Sequence, residues 1–340
     1  MKSNRRAIIV RSKTKVEQLS ERFNNESQAS FYIQQQRENV IRSKKNFLSA
    51  KLQSALAQNK AALEDQVGSG EFDDFRKEHD NYHYTLESVQ KKAAQLLKTQ
   101  TIESQYVPSY LFAADDIIIV VGQDGLVANV AKYVPKIPII AVNPDPIRFD
   151  GILLPFDAGN FDRALMDVLQ NRHQVKEVTM GEALLDDGQR LLAFNDFFIG
   201  ADSHVSAKYQ ITHEGFTENH SSSGIIVSTG AGSTAWLSSL FNMAICMNKV
   251  FGQAQNLQCH TEPWNTRRLV FVVREPFLSK TSQISLGAGL IQEGAELVIE
   301  SLMPNNGIIF SDGIIKDFIR FNTGSIVRIG IAPEKAVLVV

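Results

Sequence analysis

Three short segments carry the side chains that could do chemistry. Gly122-Gln123-Asp124-Gly125 follows the most apolar run of the chain, Ile117 to Val121. Glycines at the end of such a run let backbone N–H groups approach phosphate oxygens closely. A carboxylate placed there, that of Asp124, is repelled by phosphate unless it meets Mg²⁺ or takes a proton from a hydroxyl, the two tasks that phosphoryl transfer sets. Read alone, the same segment is equally a tight turn whose aspartate accepts backbone hydrogen bonds.

The second segment runs from Gly224 to Trp236: an apolar stretch, a turn rich in glycine, serine and threonine, then a helix from Trp236 to Met247. Gly230, Ala231, Gly232 and Ala235 leave room beside the backbone for a nucleotide-sized ligand, and Ser228, Thr229, Ser233 and Thr234 supply hydroxyls. The competing account is a capped helix start at Ser233 or Thr234. In the third segment, Asn195 and Asp196 stand side by side within the apolar run Leu191 to Ile199. An amide buried there without partners costs about 2–7 kcal/mol, which a ligand's hydroxyl or amide groups would offset; a β-bulge or sheet edge is the alternative.

These segments need elements to hold them. The 340 residues exceed one ordinary core and suggest two domains. Short apolar runs alternating with amphipathic helices (Ala7 to Val10, a helix with Val16, Leu19 and Phe23, Ala29 to Ile33, Ile117 to Val121, a helix from Val127 to Tyr133, Ile137 to Val142) predict an α/β domain with a parallel sheet over residues 1–158. Ligands of such sheets bind at the carboxyl ends of the strands. Many short strand-like runs predict a β-rich domain over 159–330, with 331–340 a tail returning to the first domain. Between them, helical spacing over 35–66 and again from Phe72 to Leu96 predicts an inserted helical hairpin, packed on its own domain or against a second copy. His79 and His83, one turn apart without an acidic or cysteine partner on that face, read as structural rather than metal-ligating.

Composition excludes several classes. A net charge of −2 gives no global attraction to nucleic acid or anionic membrane. No stretch approaches the roughly 20 apolar residues of a membrane span, and the apolar run after Arg6 is too short for a signal peptide. Cys246 and Cys259, too few for a disulfide scaffold and unsuited to zinc, are expected as buried reduced thiols. The expectation is a cytoplasmic protein with no protein-built metal cage.

In chain order, these motifs resemble the NAD kinase superfamily. Gly122-Gln123-Asp124-Gly125-Leu126 is similar to its Gly-Gly-Asp-Gly-Thr motif, Asn195-Asp196 to its Asn-Glu pair, and Gly224 to Trp236 to its strand and Gly-Ser-Thr-Ala-aromatic turn. Asn143-Pro144-Asp145-Pro146, Ser311-Asp312-Gly313 and Gly324-Ser325-Ile326-Val327 fall where the family has similar residues. Ser223 before Gly224, and Trp236 in place of tyrosine, resemble the mitochondrial and plant-like branch. The resemblance covers about Ala113 to Ile329. It implies a phosphotransferase that moves the γ-phosphate of ATP, with Mg²⁺ near Asp124, to the 2′-hydroxyl of NAD. Asp124 would be the base or would orient that hydroxyl, and Gly122, Gln123 and Gly125 would meet the phosphates. Asn195, Asp196, Ser223, Ser233, Thr234, Ala235 and Trp236 would hold the dinucleotide, in a homodimer or homotetramer.

Three departures bear on this. Gln123 stands for a glycine, at about 1–3 kcal/mol if the position needs positive φ. Leu126 stands for a threonine, whose hydroxyl is worth about 1.5–3 kcal/mol on a charged group. Asp196 stands for glutamate, shortening reach by ~1.5 Å. An NAD(P)-binding protein without kinase activity, and a kinase of a lipid or sugar hydroxyl, therefore stay open as alternatives.

Overall fold

The computed structural model describes residues 5–23, 25, 27–28, 30–33, 35, 39, 71–252, 258–259 and 261–340. Strand β1 (Arg6–Arg11) enters helix α1 (Lys15–Phe23) through a capping box: Thr14 N–H donates to Glu17 Oε2 at 2.8 Å and Glu17 N–H to Thr14 Oγ1 at 3.3 Å. Helix α2 (Glu71–Ala94) leads to β2 (Lys98–Glu103), then β3 (Ile117–Val121), α3 (Asp124–Ala131), β4 (Pro138–Val142) and α4 (Phe161–Leu169). Strands β2-β1-β3-β4 lie side by side in parallel. All five residues of β3 are buried, as a parallel strand covered on both faces requires. Each contributes about 1.5–3 kcal/mol over its exposed state.

The second half contains β5 (Val175–Leu185), β6 (Arg190–Ala193), β7 (Asp196–Ala201), β8 (Ala207–His213), β9 (Phe216–Ser222), β10 (Ile225–Ser228), helix α5 (Trp236–Phe251), β11 (Arg268–Val273), β12 (Ala288–Gln292), β13 (Leu297–Ser301), β14 (Gly307–Ser311), β15 (Ile314–Arg320) and β16 (Ile326–Val339). Strands β12-β11-β10-β7-β14-β15 form one antiparallel sheet. The other sheet is continuous with the parallel one through β16, whose Val337 and Leu338 pair with Pro138 and Ile139 of β4.

Several expectations need correction. Residues 30–33 of the run expected to be a strand are helical, and the true neighbour of β1 is β2, Lys-Thr-Gln-Thr-Ile-Glu. An edge strand buries little, so it carries no apolar signature. The run Leu191 to Ile199 is not one strand; it breaks at Phe194-Asn195, so that β6 and β7 join different sheets. Both cysteines are exposed rather than buried, Cys246 on α5 and Cys259 in the following loop. The seam of α2 packs on its own sheet, with Tyr82, Leu86, Val89 and Ala93 against Ile9, Ile119 and Phe161. The first arm of the expected hairpin, 35–66, lies almost wholly outside the described residues. No helix among those residues is long and apolar enough to cross a membrane.

Candidate functional site

The chain leaves β1 toward β2 on one side and returns to β3 on the other, so the carboxyl ends of β1 and β3 form a switch point of the kind where open α/β sheets bind ligands. A cavity of about 400 Å³ lies there. Its walls are the segment after β1 (Ser12 to Lys15), the turn after β3 (Gly122, Gln123, Gly125, Leu126), Asn129 of α3, and Pro144 and Asp145 after β4. The N-termini of α1 and α3 both open on it, two positive dipole ends beside Lys13 and Lys15. Lys13 is shared with Glu21 at 2.5 Å and Glu103 at 3.7 Å, whereas Lys15 is exposed and makes no ion pair among the described residues. Ser12 to Lys15 were not among the residues expected at the site. The signal was there: a Thr-x-x-Glu capping box shortly after a buried strand, with a lysine on either side of its threonine.

Gln123 is the N-cap of α3 at φ −102°, ψ 167°, extended backbone open to any residue, so the strain weighed for a side chain at this position is absent. Asp124 is the first residue of α3 and half-buried. Its Oδ1 accepts the Leu153 N–H at 2.7 Å, which aims the carboxylate at the loop of residues 151–154. The cavity is lined by the residues flanking Asp124 and not by Asp124 itself. The two sides of this turn therefore face different surroundings: N–H groups and lysines on one, a carboxylate on the other.

The glycines of the second segment are needed for packing. A Cβ on Gly230 would lie 2.1 Å from the Pro263 carbonyl oxygen, and one on Gly232 would lie 2.0 Å from that of Asn195. Protein atoms thus take the room that the small residues leave. The hydroxyls are likewise engaged: Thr229 Oγ1 donates to Phe194 O at 2.5 Å and Ser233 Oγ to Gly230 O at 2.7 Å. Thr234 is exposed and Ala235 half-buried. Trp236 stacks on Phe198 with ring centres 5.8 Å apart, under the Arg274 guanidinium at 5.5 Å. Ser223 is exposed at the opposite end of β10 from Ser228, its N–H donating to Arg274 O. Asn195 is half-buried. Phe194 and Ala231 share one core with Val127, Ala128, Leu153 and Leu154, so the second and third segments are fixed to α3 and to the loop that holds Asp124.

A buried charge cluster completes that attachment. Asp312 is a non-glycine residue at φ 54° in the β14–β15 turn, followed by Gly313 at φ 71°, the pairing a two-residue hairpin demands. Its carboxylate accepts three successive N–H groups, from Phe194 at 3.1 Å, Asn195 at 2.6 Å and Asp196 at 3.3 Å. Lys132, at the C-cap of α3, donates to Ser311 Oγ at 2.9 Å and lies 3.6 Å from Asp312. Three captured N–H groups cannot also serve a ladder, which is why the expected strand breaks at Asn195.

Asp196 is buried, and its carboxyl is pushed up to about 7, by burial first and then by the charge of Asp312, against the opposing Trp236 N–H. The folded chain thus keeps this proton to higher pH than the unfolded chain, whose aspartates ionise near about 3.9. The stabilisation is complete below that value and is lost as pH rises through about 7. Asp196→Asn, which keeps an oxygen for Trp236 N–H and cannot ionise, is expected to melt slightly above the wild type at pH 5 and several degrees further above it at pH 8. Thermal melts at the two pH values check this; a gap that does not widen contradicts it.

No family model matches the chain. Over 125 residues it is 30% identical to the NAD kinase of Thermomicrobium roseum, a match of 36% of this chain and 42% of that protein. It is 29% identical over 128 residues to the mitochondrial NADH kinase pos5 of Schizosaccharomyces pombe, covering 36% of this chain and 33% of that one. The matched segment thus spans less than half the length of these relatives. Among solved structures, an NAD kinase from Archaeoglobus fulgidus in complex with ATP matches 98% of this chain and 92% of its own, with TM-score 0.53 and 12% identity. Yeast NADH kinase complexed with NADH matches 71% and 65%, with TM-score 0.51 and 16% identity. Over that segment the chain is thus similar in sequence to NAD kinases, and over nearly its whole length it is similar in fold to a solved NAD kinase.

Proposed function

We propose that this chain transfers the γ-phosphoryl group of ATP to the 2′-hydroxyl of the adenosine ribose of NAD, giving NADP, ADP and a proton. The observation that carries the proposal is the cavity between the N-termini of α1 and α3, where Lys13 and Lys15 stand beside the Gly122–Gly125 turn. A triphosphate there meets positive charge and helix dipoles on one side of the turn. The acceptor ribose approaches from the Leu153 side, where the Asp124 carboxylate takes the hydroxyl proton as that oxygen attacks the γ-phosphorus and the bond to the β-phosphate oxygen breaks.

Mg²⁺ belongs to the same proposal. Among the described residues no three His, Cys, Asp or Glu side chains form a metal cage. The Asp145 carboxylate lines the cavity and Asp124 adjoins it, which suits an ion held mainly by phosphates and water with one or two carboxylates. When bound, Mg²⁺ would offset charge on the phosphates.

The relatives named NAD kinase or NADH kinase support this function, as do the unstrained backbone at Gln123 and the common core of α3, Phe194 and Ala231. For the dinucleotide we retain Asn195, Thr234, Ala235 and Trp236 as contacts, with Asp196, Ser223 and Ser233 further from the ligand. Leu126, which presents an isobutyl group to the cavity instead of a hydroxyl, favours a second reading: a dinucleotide-binding protein that transfers no phosphate. A homo-oligomer finds support in α5, where Met243, Met247, Val250 and Phe251 are exposed.

Incubation with ATP, Mg²⁺ and NAD is expected to yield NADP, detected with an NADP-specific dehydrogenase, and Leu126→Thr is expected to raise the rate several-fold. NAD binding without NADP formation, with any nucleoside triphosphate or polyphosphate, would select the second reading. Phosphorylation of a lipid or sugar in place of NAD would overturn both.

A further inference from the structure

Helix α2 hydrogen-bonds the segments that follow β1, β3 and β4. Tyr82, 6% exposed, donates its hydroxyl to Val121 O at 2.9 Å and accepts the Ser12 N–H at 3.0 Å. One turn earlier, His79 Nδ1 lies 2.7 Å from Thr14 Oγ1. One turn later, Thr85 Oγ1 donates to Pro144 O at 3.2 Å; Asn81, the residue before Tyr82, donates through Nδ2 to Asp145 Oδ2 at 3.0 Å. Ser12, Thr14, Pro144 and Asp145 line the cavity, as does Gly122, the residue after Val121.

Core packing alone does not call for this phenol. Phenylalanine would fill the same volume without burying an oxygen that needs partners. The Tyr82 hydroxyl spends its donor on the end of one parallel strand and an acceptor on the start of the loop after its neighbour, so it sets the distance between them. These two backbone segments carry the lysines and the glycine turn.

We propose that Tyr82 is a positioning residue for the phosphoryl donor: it holds the Ser12–Lys15 segment in register with the Gly122–Gly125 turn, so that both helix N-termini and both lysines address one polyphosphate. The proposal rests on the cavity being the donor site. Pre-organised N–H groups and charges lose much of their effect when displaced by a fraction of an ångström. The dinucleotide segments take their hydrogen bonds from Asp312 and none from Tyr82, so the loss of the hydroxyl falls first on the donor.

The test is calorimetric titration of the full chain, with Mg²⁺ present, against a non-hydrolysable β,γ-imido analogue of ATP and, separately, against NAD. Tyr82→Phe is expected to raise the Kd of the analogue about 3- to 10-fold, the loss of roughly one net hydrogen bond, with the Kd of NAD unchanged. His79→Leu, which cuts the bond to Thr14 on the same segment, is expected to shift the analogue in the same direction. Tyr84→Phe, on the same helix but 73% exposed, is expected to change neither constant. An analogue Kd unchanged in Tyr82→Phe, an equal loss of NAD binding, or a wild type that takes up no analogue overturns the proposal. Absence of NADP formation would instead count against phosphoryl transfer and leaves the binding comparison intact.

Discussion

Asp124→Asn is expected to lower the rate of NADP formation by about 10²–10⁴, the usual contribution of a positioned proton acceptor, while the protein melts within a few degrees of the wild type. The choice of asparagine isolates the charge. Asp124 Oδ1 accepts the Leu153 N–H, and an amide oxygen in the same place does so too, which keeps the loop of residues 151–154 where it is. What is lost is the capacity to take a proton from the attacking hydroxyl. NAD binding, followed by calorimetry, is expected to survive, so the change falls on kcat and on kcat/KM alike. Turnover within threefold of the wild type would remove Asp124 from the reaction; a large loss of stability would show that it acts on the loop alone.

Much of the first sheet was legible because burial on both faces leaves a plain signature: Ile117 to Val121 and Ile137 to Val142 read as buried strands, and the segment between them as helix. Strand β2 was invisible for the opposite reason. Edge strands are chosen by backbone pairing and leave side chains in water, so Lys98 to Glu103 looks like any polar segment. At the site, the Gly122–Gly125 turn and its place after the central strand were readable. The cavity's other wall was not, because Ser12 to Lys15 comes to the turn through parallel pairing of β1 with β3, a relation between residues more than a hundred positions apart. The small residues at 230 and 232 were open to a ligand as easily as to packing, and only the carbonyls of Pro263 and Asn195 decide between them. The break at Asn195 was hidden as well, since its cause, the Asp312 carboxylate, comes from a hairpin more than a hundred residues further on.

Asp312→Leu is expected to destabilise the fold by about 3–5 kcal/mol, the range for removing one partner from a buried ion pair. That is a large part of the roughly 5–15 kcal/mol that holds a domain together. The substitution leaves the buried Lys132 ammonium with Ser311 Oγ, strips the acceptor from the N–H groups of Phe194, Asn195 and Asp196, and forces a branched side chain to φ 54°. Asp312→Asn keeps the left-handed preference and one acceptor oxygen, so a smaller loss of about 1–3 kcal/mol is expected from it. Urea unfolding followed by tryptophan fluorescence measures both. The pairing itself is tested by adding Lys132→Met to Asp312→Asn: with neither charge left to bury unpaired, the double variant is expected to lose less than the two single losses added together. If Asp312→Leu unfolds within about 1 kcal/mol of the wild type, the carboxylate does not hold the two sheets at Asn195. The Asn195-Asp196 segment would then need another anchor to face the α3 turn, and with it the site as described would fail.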